Sequence, residues 1–181
     1  MIETRREFVA TPAPTLGAGS RLESIVVRPS TGERVSVDQA RLDPAFGVEG
    51  DDWLTRGSSM TPDRSAMPEC QVTLINVRVL EAIEPDRARW ALAGDQLHVD
   101  LDLSVDVLPS GTRLAIGSAV LEMSELPHTG CAKFSARFGS DALRWINTPD
   151  GRAARRRGAN ARVVQAGVVR AGDVIRVADP A

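Results

Sequence analysis

Arg113-Leu114-Ala115-Ile116-Gly117-Ser118-Ala119-Val120-Leu121-Glu122-Met123 decides the fold class. Two runs of extended-type residues flank a Gly-Ser turn, and Pro109-Ser110-Gly111 turns the chain just before them, so the stretch predicts strand, turn, strand. On its N-terminal side, Val99 to Leu103 alternates apolar and acidic residues, the period-two pattern of a strand with one covered face. Further out, Leu22 to Val27 and Arg34 to Val37 around Pro29-Ser30-Thr31-Gly32 predict a hairpin, and Gln71 to Ile75 another strand. Ala161 to Val164 and Val168 to Val177, broken at Gly167 and Gly172-Asp173, return the chain to β at its end. Helices are few and short. Asn76 suits the N-cap of a helix over Val77 to Ile83, which Pro85 stops; Arg87 to Ala93 predicts a second helical stretch closed by Gly94, and Ala142 to Ile146 a third. Thr148-Pro149-Asp150-Gly151 reads as a turn, and Arg41 to Glu69, rich in Gly, Pro and polar residues, as a long irregular connection. Many short strands with a few short helices predict a mainly β barrel or sandwich.

At 181 residues the chain has the length of one domain and needs no disulfide or metal staple. Residues 1–20, rich in Thr, Pro, Ala and Gly, are expected to be a flexible N-terminal arm that adds little to the core, with a single domain over 21–181. The net charge of −2 and the 43% hydrophobic share point to no nucleic acid and no anionic membrane as partner. No apolar run approaches the roughly 18 residues of a membrane span. Glu3, Arg5, Arg6 and Glu7 stand where a leader would need apolar residues. Two cysteines, Cys70 and Cys131, make no disulfide framework, so the expected setting is cytoplasmic and reducing. Twenty-one arginines stand against one lysine, the bias of a GC-rich genome, so the position of an arginine carries more information than its presence.

Pro127-His128-Thr129-Gly130-Cys131-Ala132-Lys133-Phe134 brings together one of two histidines, one of two cysteines and the only lysine. Cys131 to Phe138 predicts a short helix with Phe134 and Phe138 on one face and Cys131 in its first turn, where Lys133 and the backbone N–H groups favour the thiolate. A free cysteine can equally serve as a small buried hydrophobe. A zinc site would have to recruit Cys70, His98, His128 and Cys131, of which only His128 and Cys131 have ligand-like spacing. A cysteine-dependent hydrolase would use Cys131 with His128 as base and Asp51, Asp52 or Asp141 as orienter. Arg152-Ala153-Ala154-Arg155-Arg156-Arg157-Gly158 is either a solvated basic turn or a grip for an oxyanion. Asp51, in Gly47-Val48-Glu49-Gly50-Asp51-Asp52-Trp53, and Asp173 sit in glycine turns where a structural role suffices. Phosphate-binding glycine loops, dinucleotide fingerprints, nucleophile elbows and His-Glu-x-x-His motifs are absent from the sequence.

Five segments in order carry a resemblance: Gln71-Val72-Thr73-Leu74-Ile75-Asn76, Ala93-Gly94-Asp95-Gln96-Leu97, Leu108 to Ala119 leading to Pro127 through Cys131, Arg157-Gly158-Ala159-Asn160-Ala161-Arg162-Val163-Val164, and Gly167 to Ile175. Over about residues 21–177 the succession resembles the MOSC domain, found at the C-terminus of molybdenum-cofactor sulfurases and as a stand-alone bacterial protein. The resemblance implies a MOSC-like β-barrel of short strands with a few short helices. It also implies that Cys131 is the family's single reactive cysteine, a sulfur carrier as persulfide or the molybdenum ligand of a bound molybdopterin (molybdenum cofactor). Under it, His128 and Lys133 tune the thiolate, Arg155, Arg156, Arg157 and Arg162, with Asp51, hold the anionic cofactor or substrate, and a sulfur-donating desulfurase or a molybdoenzyme is the expected partner. Gly94-Asp95-Gln96-Leu97 stands where the family has Gly-Glu-Asn-Leu, and Gly50-Asp51-Asp52-Trp53 where it has Gly-Asp-x-His. The chain has no room for the pyridoxal-phosphate desulfurase domain of longer members. Two other readings keep the fold or the cysteine but not the cofactor: a metal-free small-molecule binding module, and the hydrolase built on Cys131 and His128.

Overall fold

In the computed structural model, which describes residues 7–17 and 19–178, the predicted hairpin appears as β7 (Arg113–Ile116) and β8 (Ala119–Met123), paired antiparallel across Gly117-Ser118. The other described strands are β1 (Arg21–Val27), β2 (Val35–Val37), β3 (Gln39–Asp43), β4 (Gly47–Val48), β5 (Val72–Asn76), β6 (Leu97–Asp100), β9 (Ala159–Gln165), β10 (Gly167–Arg170) and β11 (Ile175–Val177). The helices are α1 (Trp53–Arg56), α2 (Val77–Ile83), α3 (Ala132–Phe138), α4 (Ser140–Asn147) and α5 (Pro149–Ala153), with single 3-10 stretches at Pro68–Cys70 and Arg87–Ala93.

Eight strands form one sheet in the order β11-β7-β8-β9-β5-β6-β1-β2, and β10-β3-β4 form a second. Only the β5–β6 pair is parallel among the described strands, since α2 and the 3-10 stretch carry the chain back between them. The large sheet curls until its ends meet: Arg21 bridges Val174, Leu22 N–H donates to Asp173 O at 2.9 Å, and Ile175 N–H to Ser20 O at 3.1 Å. The result is a mainly β, half-barrel architecture, as the short-strand pattern predicts.

The alternation of β5 explains how helices are held on the outside of this barrel. Val72 and Leu74 face the interior with Leu22, Leu97, Leu114, Leu121 and Val163, while Ile75 enters a second core of Leu80, Ile83, Trp90, Phe134 and Ile146 from the helical layer. Asn76 then caps α2, its side chain accepting from Arg78 N–H at 2.8 Å. Gly94 closes the 3-10 stretch with a left-handed φ of 86°.

Four expectations are corrected. The connection over 41–69 is not irregular throughout: Ala40 and Leu42 alternate with exposed Gln39 and Arg41, and β3 pairs with both β10 and β4. The strand expected over Val99 to Leu103 ends at Asp100, and Leu101 and Leu103 are buried outside it. Thr148 to Gly151 is the start of a helix, because Thr148 Oγ1 accepts from Gly151 N–H at 3.0 Å and Pro149 presets the first turn. The arm does contribute to the core at Phe8, which is buried with its ring centroid 5.5 Å from that of Trp145. Residues 1–6 and 18 of the expected arm, and 179–181, lie outside the described residues. No described helix is long and apolar enough to cross a membrane.

Candidate functional site

Cys131 lies on a loop that packing holds in place. Asn160 Nδ2 donates to Leu126 O at 3.0 Å, and Gly130 N–H donates to Asn147 Oδ1 at 3.3 Å. A Cβ on Gly130 would come within 2.6 Å of Leu143 Cδ1 and 2.7 Å of Ile146 Cδ1, so a larger residue there would have to displace these side-chain ends on α4. The chain then turns into α3 with Cys131 at the N-cap rather than inside the first turn. Its side chain is exposed. Partial burial works to raise the thiol pKa, but the backbone N–H groups of Phe134 and Lys133 and the charges of Arg157 and Lys133 outweigh it, leaving Cys131 below the ordinary thiol value. Those N–H groups lie too loosely about the sulfur to form a cap hydrogen bond. Cys70, by contrast, is half-buried, and burial followed by the Glu69 charge pushes its thiol up.

Behind α3 lies a buried ionic group. Arg157 Nη1 donates to Asp95 Oδ2 at 2.7 Å, Nη2 to Ala93 O at 3.1 Å, and its guanidinium lies 5.1 Å from the centre of the Phe134 ring. Burial works to raise the Asp95 carboxyl, but the bonded Arg157 prevails and holds it below the usual carboxylate range. His128 Nδ1 stands 3.3 Å from Asp95 Oδ1 without a hydrogen bond between them. Burial first, then the Arg157 charge, pushes His128 down to about 4 against the pull of Asp95, so the imidazole is neutral at pH 7. Gly158, at φ 109°, allows this crowding, since a Cβ there would meet Leu74 O at 2.3 Å.

In front of α3, Lys133, Ala136 and Arg137 form one wall of a cavity of about 330 Å³; Ser30, Thr31, Gly32, Arg34 and Arg56 form the other. Four cations meet here from three parts of the chain. Arg56 is paired with Asp52 at 2.8 Å, and Arg34 Nε is buried without a partner. Burial and the neighbouring Arg137, Arg28 and Arg56 charges all push the Arg34 pKa down, and only Asp52 opposes them. A group of cations that repel one another around an open cavity is an anion-binding arrangement.

The residues singled out from sequence fall in different places. Lys133 joins Cys131 and the basic cavity. Arg157 and His128 lie behind Cys131, and no hydrogen bond joins His128 to Cys131 among the described residues. Arg155 Nη1 donates to Leu103 O at 3.2 Å and Leu108 O at 2.6 Å; Arg156 donates to Trp145 O at 3.2 Å and stacks on its ring at 4.5 Å; Arg162 pairs with Glu122 on the outer face of the sheet. Each of these guanidinium groups is therefore tied to its own partner, although Arg155 and Arg157 line one cavity behind the His128 loop. Asp51 is fully buried and bidentate with Arg28 at 2.7 and 2.8 Å, and it also accepts from the Trp53 N–H at 3.0 Å. Asp173 accepts from Arg170 N–H at 2.7 Å in its own turn. The four-residue zinc set does not assemble, as no group of three or more His, Cys, Asp or Glu suited to a metal ion occurs among the described residues. Arg34, Arg56, Arg137 and Asp95 were not foreseen as site residues. The only local hint was a cation, Arg34, placed two residues past Gly32 of the Ser30-Thr31-Gly32 turn.

Three comparisons bear on this geometry. The sequence model of the MOSC domain matches residues 62–176. No curated protein gives a significant match. Among solved structures, the YuaD protein of Bacillus subtilis superposes with a TM-score of 0.65 at 16% identity, covering 86% of this chain and 93% of that one. YiiM of Geobacillus stearothermophilus gives 0.57 at 15% identity, covering 88% and 75%, and YiiM of Escherichia coli gives 0.57 at 19% identity, covering 89% and 71%. At these identities the structures are alike in fold alone.

Proposed function

Since this chain belongs to the MOSC domain family, we propose that it binds a molybdopterin-type cofactor, with Cys131 as the thiolate ligand of the metal and the basic cavity as the seat of the cofactor's phosphate. One observation carries the reading: Cys131 caps the same helix whose Lys133 and Arg137 wall a cavity in which four cations meet one carboxylate, Asp52. The donor set fits. A thiol held below its ordinary pKa supplies a soft ligand, and Arg34, Arg137 and Lys133 supply charge-assisted donors to an oxyanion. Such a cofactor, when bound, supplies oxygen- or sulfur-atom transfer at the metal. The chain's own residues do the rest: the Phe134 and Lys133 N–H groups, with the Arg157 and Lys133 charges, favour the Cys131 thiolate, Asn160 and Asn147 hold the loop that presents it, and Arg34 and Arg137 orient the anionic end.

The same exposed thiolate also favours a second reading, a persulfide carrier that takes sulfur from a desulfurase or hands it to a molybdoenzyme. The two are separated by purifying wild type and Cys131→Ala from a molybdopterin-competent host and measuring native mass, molybdenum and pterin. Metal and pterin present in wild type and lost in the variant support the cofactor reading. A +32 Da adduct on wild type alone supports the carrier. Neither metal nor adduct sinks both and leaves the metal-free binding module.

A further inference from the structure

Arg157 also lines a second cavity, on the far side of the His128 loop from the basic one. It measures about 170 Å³ and lies between that loop, α5 and the start of β9. Ile146, Leu126 and Ala159 supply apolar surface, and Val105 stands exposed among its lining residues. Its polar wall holds Arg152, Arg155, Arg157 and Thr129, with the single carboxylate of Glu125.

Two of these groups are short of partners. Arg157 is 8% exposed, yet its Nε has no hydrogen-bond partner. A buried donor left in that state costs about 1–3 kcal/mol. The Arg152 side chain is exposed and holds neither a carboxylate nor a carbonyl among the described residues. Neutral His128 adds no charge, and three guanidinium groups outnumber Glu125 in the wall and Asp95 beneath it. The excess suits one negative charge rather than two. A cavity of about 150 Å³ holds a benzene-sized guest.

We propose that this cavity is a binding site for a small carboxylate with an apolar body, of the size and shape of benzoate. Its carboxylate meets the exposed Arg152 guanidinium beside Arg155 and Arg157, and its body lies against Ile146 and Leu126. The proposal stands apart from the cofactor reading: the two cavities share no lining residue.

The test is calorimetric titration of the full chain with benzoate and with neutral benzamide at low and physiological salt. Benzoate should bind, with benzamide at least about ten-fold weaker, because only the anion answers the unpaired Arg152 guanidinium and the cationic excess of the wall. Arg152→Gln should weaken benzoate by about five-fold, and Val105→Phe, a change at an exposed position, should close the cavity and remove binding. Arg34→Gln, in the other cavity, should leave benzoate affinity unchanged. Unaltered thermal melting of the three variants assures that they fold. No heat with benzoate, equal binding of benzamide, or loss of binding on Arg34→Gln instead of Arg152→Gln would overturn the proposal and leave a cavity that holds only water.

Discussion

Arg155, Arg156, Arg157 and Arg162 are near neighbours in sequence that the fold ties to four different partners, whereas Arg34, Arg56, Lys133 and Arg137 come from distant segments and meet around one cavity. The first set is consumed by structure: backbone carbonyls take Arg155, Trp145 takes Arg156, Asp95 takes Arg157 and Glu122 takes Arg162. In the second set Arg56 holds the Asp52 carboxylate, Arg137 Nη1 donates to Leu92 O at 2.7 Å and Arg34 to Glu33 O, so a single carboxylate answers four cations around the cavity. An arginine already bonded within the fold contributes stability; one left among like charges costs stability and is available to a ligand.

The largest test of that contrast is Arg157→Ala. It leaves the fully buried Asp95 carboxylate without its cation, and urea unfolding should show a loss of about 3–5 kcal/mol. A loss under about 1 kcal/mol would show that the Asp95 carboxylate does not depend on Arg157.

Acid should find the same buried region. His98 and His128 are both pushed down to about 4 from an ordinary 6.5, burial being the first cause in each. The unfolded chain takes up these protons below about pH 6.5 and the native state only near 4, so the stability of the neutral rings is complete above 6.5 and is lost as pH falls through that window. Each ring contributes roughly 3 kcal/mol to the span. Chemical denaturation at pH 7, 5.5 and 4.5 checks it, and His98→Gln, which keeps a partner for Ser24, should flatten the slope by about half.

Thiol chemistry gives the next effect. With iodoacetamide at pH 7.5, Cys131 should be alkylated at least about ten times faster than Cys70, because one thiol is exposed and lowered and the other half-buried and raised. Peptide mass mapping over time decides it, and equal rates would remove the electrostatic argument for Cys131.

Arg34→Gln separates ligand binding from stability. Affinity for inorganic pyrophosphate should fall by about ten-fold, with unfolding free energy unchanged within about 0.5 kcal/mol or raised, as the lost cation was repelled by its neighbours. Arg162→Ala is the smallest change. Half-exposed on the outer sheet face beside Glu122, it should cost under about 1 kcal/mol and alter neither ligand.

Local signals carried much of the fold. The β7–β8 hairpin, the Asn76 cap and the Gly94 stop depend on residues within a few positions of one another, and each is read correctly for that reason. β3 was hidden by the Pro and Gly around it, although Ala40 and Leu42 do alternate; what makes it a strand is β10, far along the chain. Within the site, Cys131 and Lys133 were visible because they lie two positions apart in sequence. Arg34, Arg56 and Arg137 were not, since nothing in their own neighbourhoods marks them. Arg155, Arg156 and Arg162 looked like a grip because sequence shows a charge but not the carbonyl, ring or carboxylate that has already claimed it.

By itself the sequence determined a mainly β chain of MOSC type with one cysteine set beside a lysine. Periodicity, turn residues and the order of short motifs are properties of neighbours along the chain. Only the tertiary structure decided which arginines remain available, that His128 faces Asp95 rather than Cys131, and that two cavities flank the cysteine loop. Charge, burial and hydrogen-bond competition act through space, over a few ångströms, between residues that the chain keeps far apart.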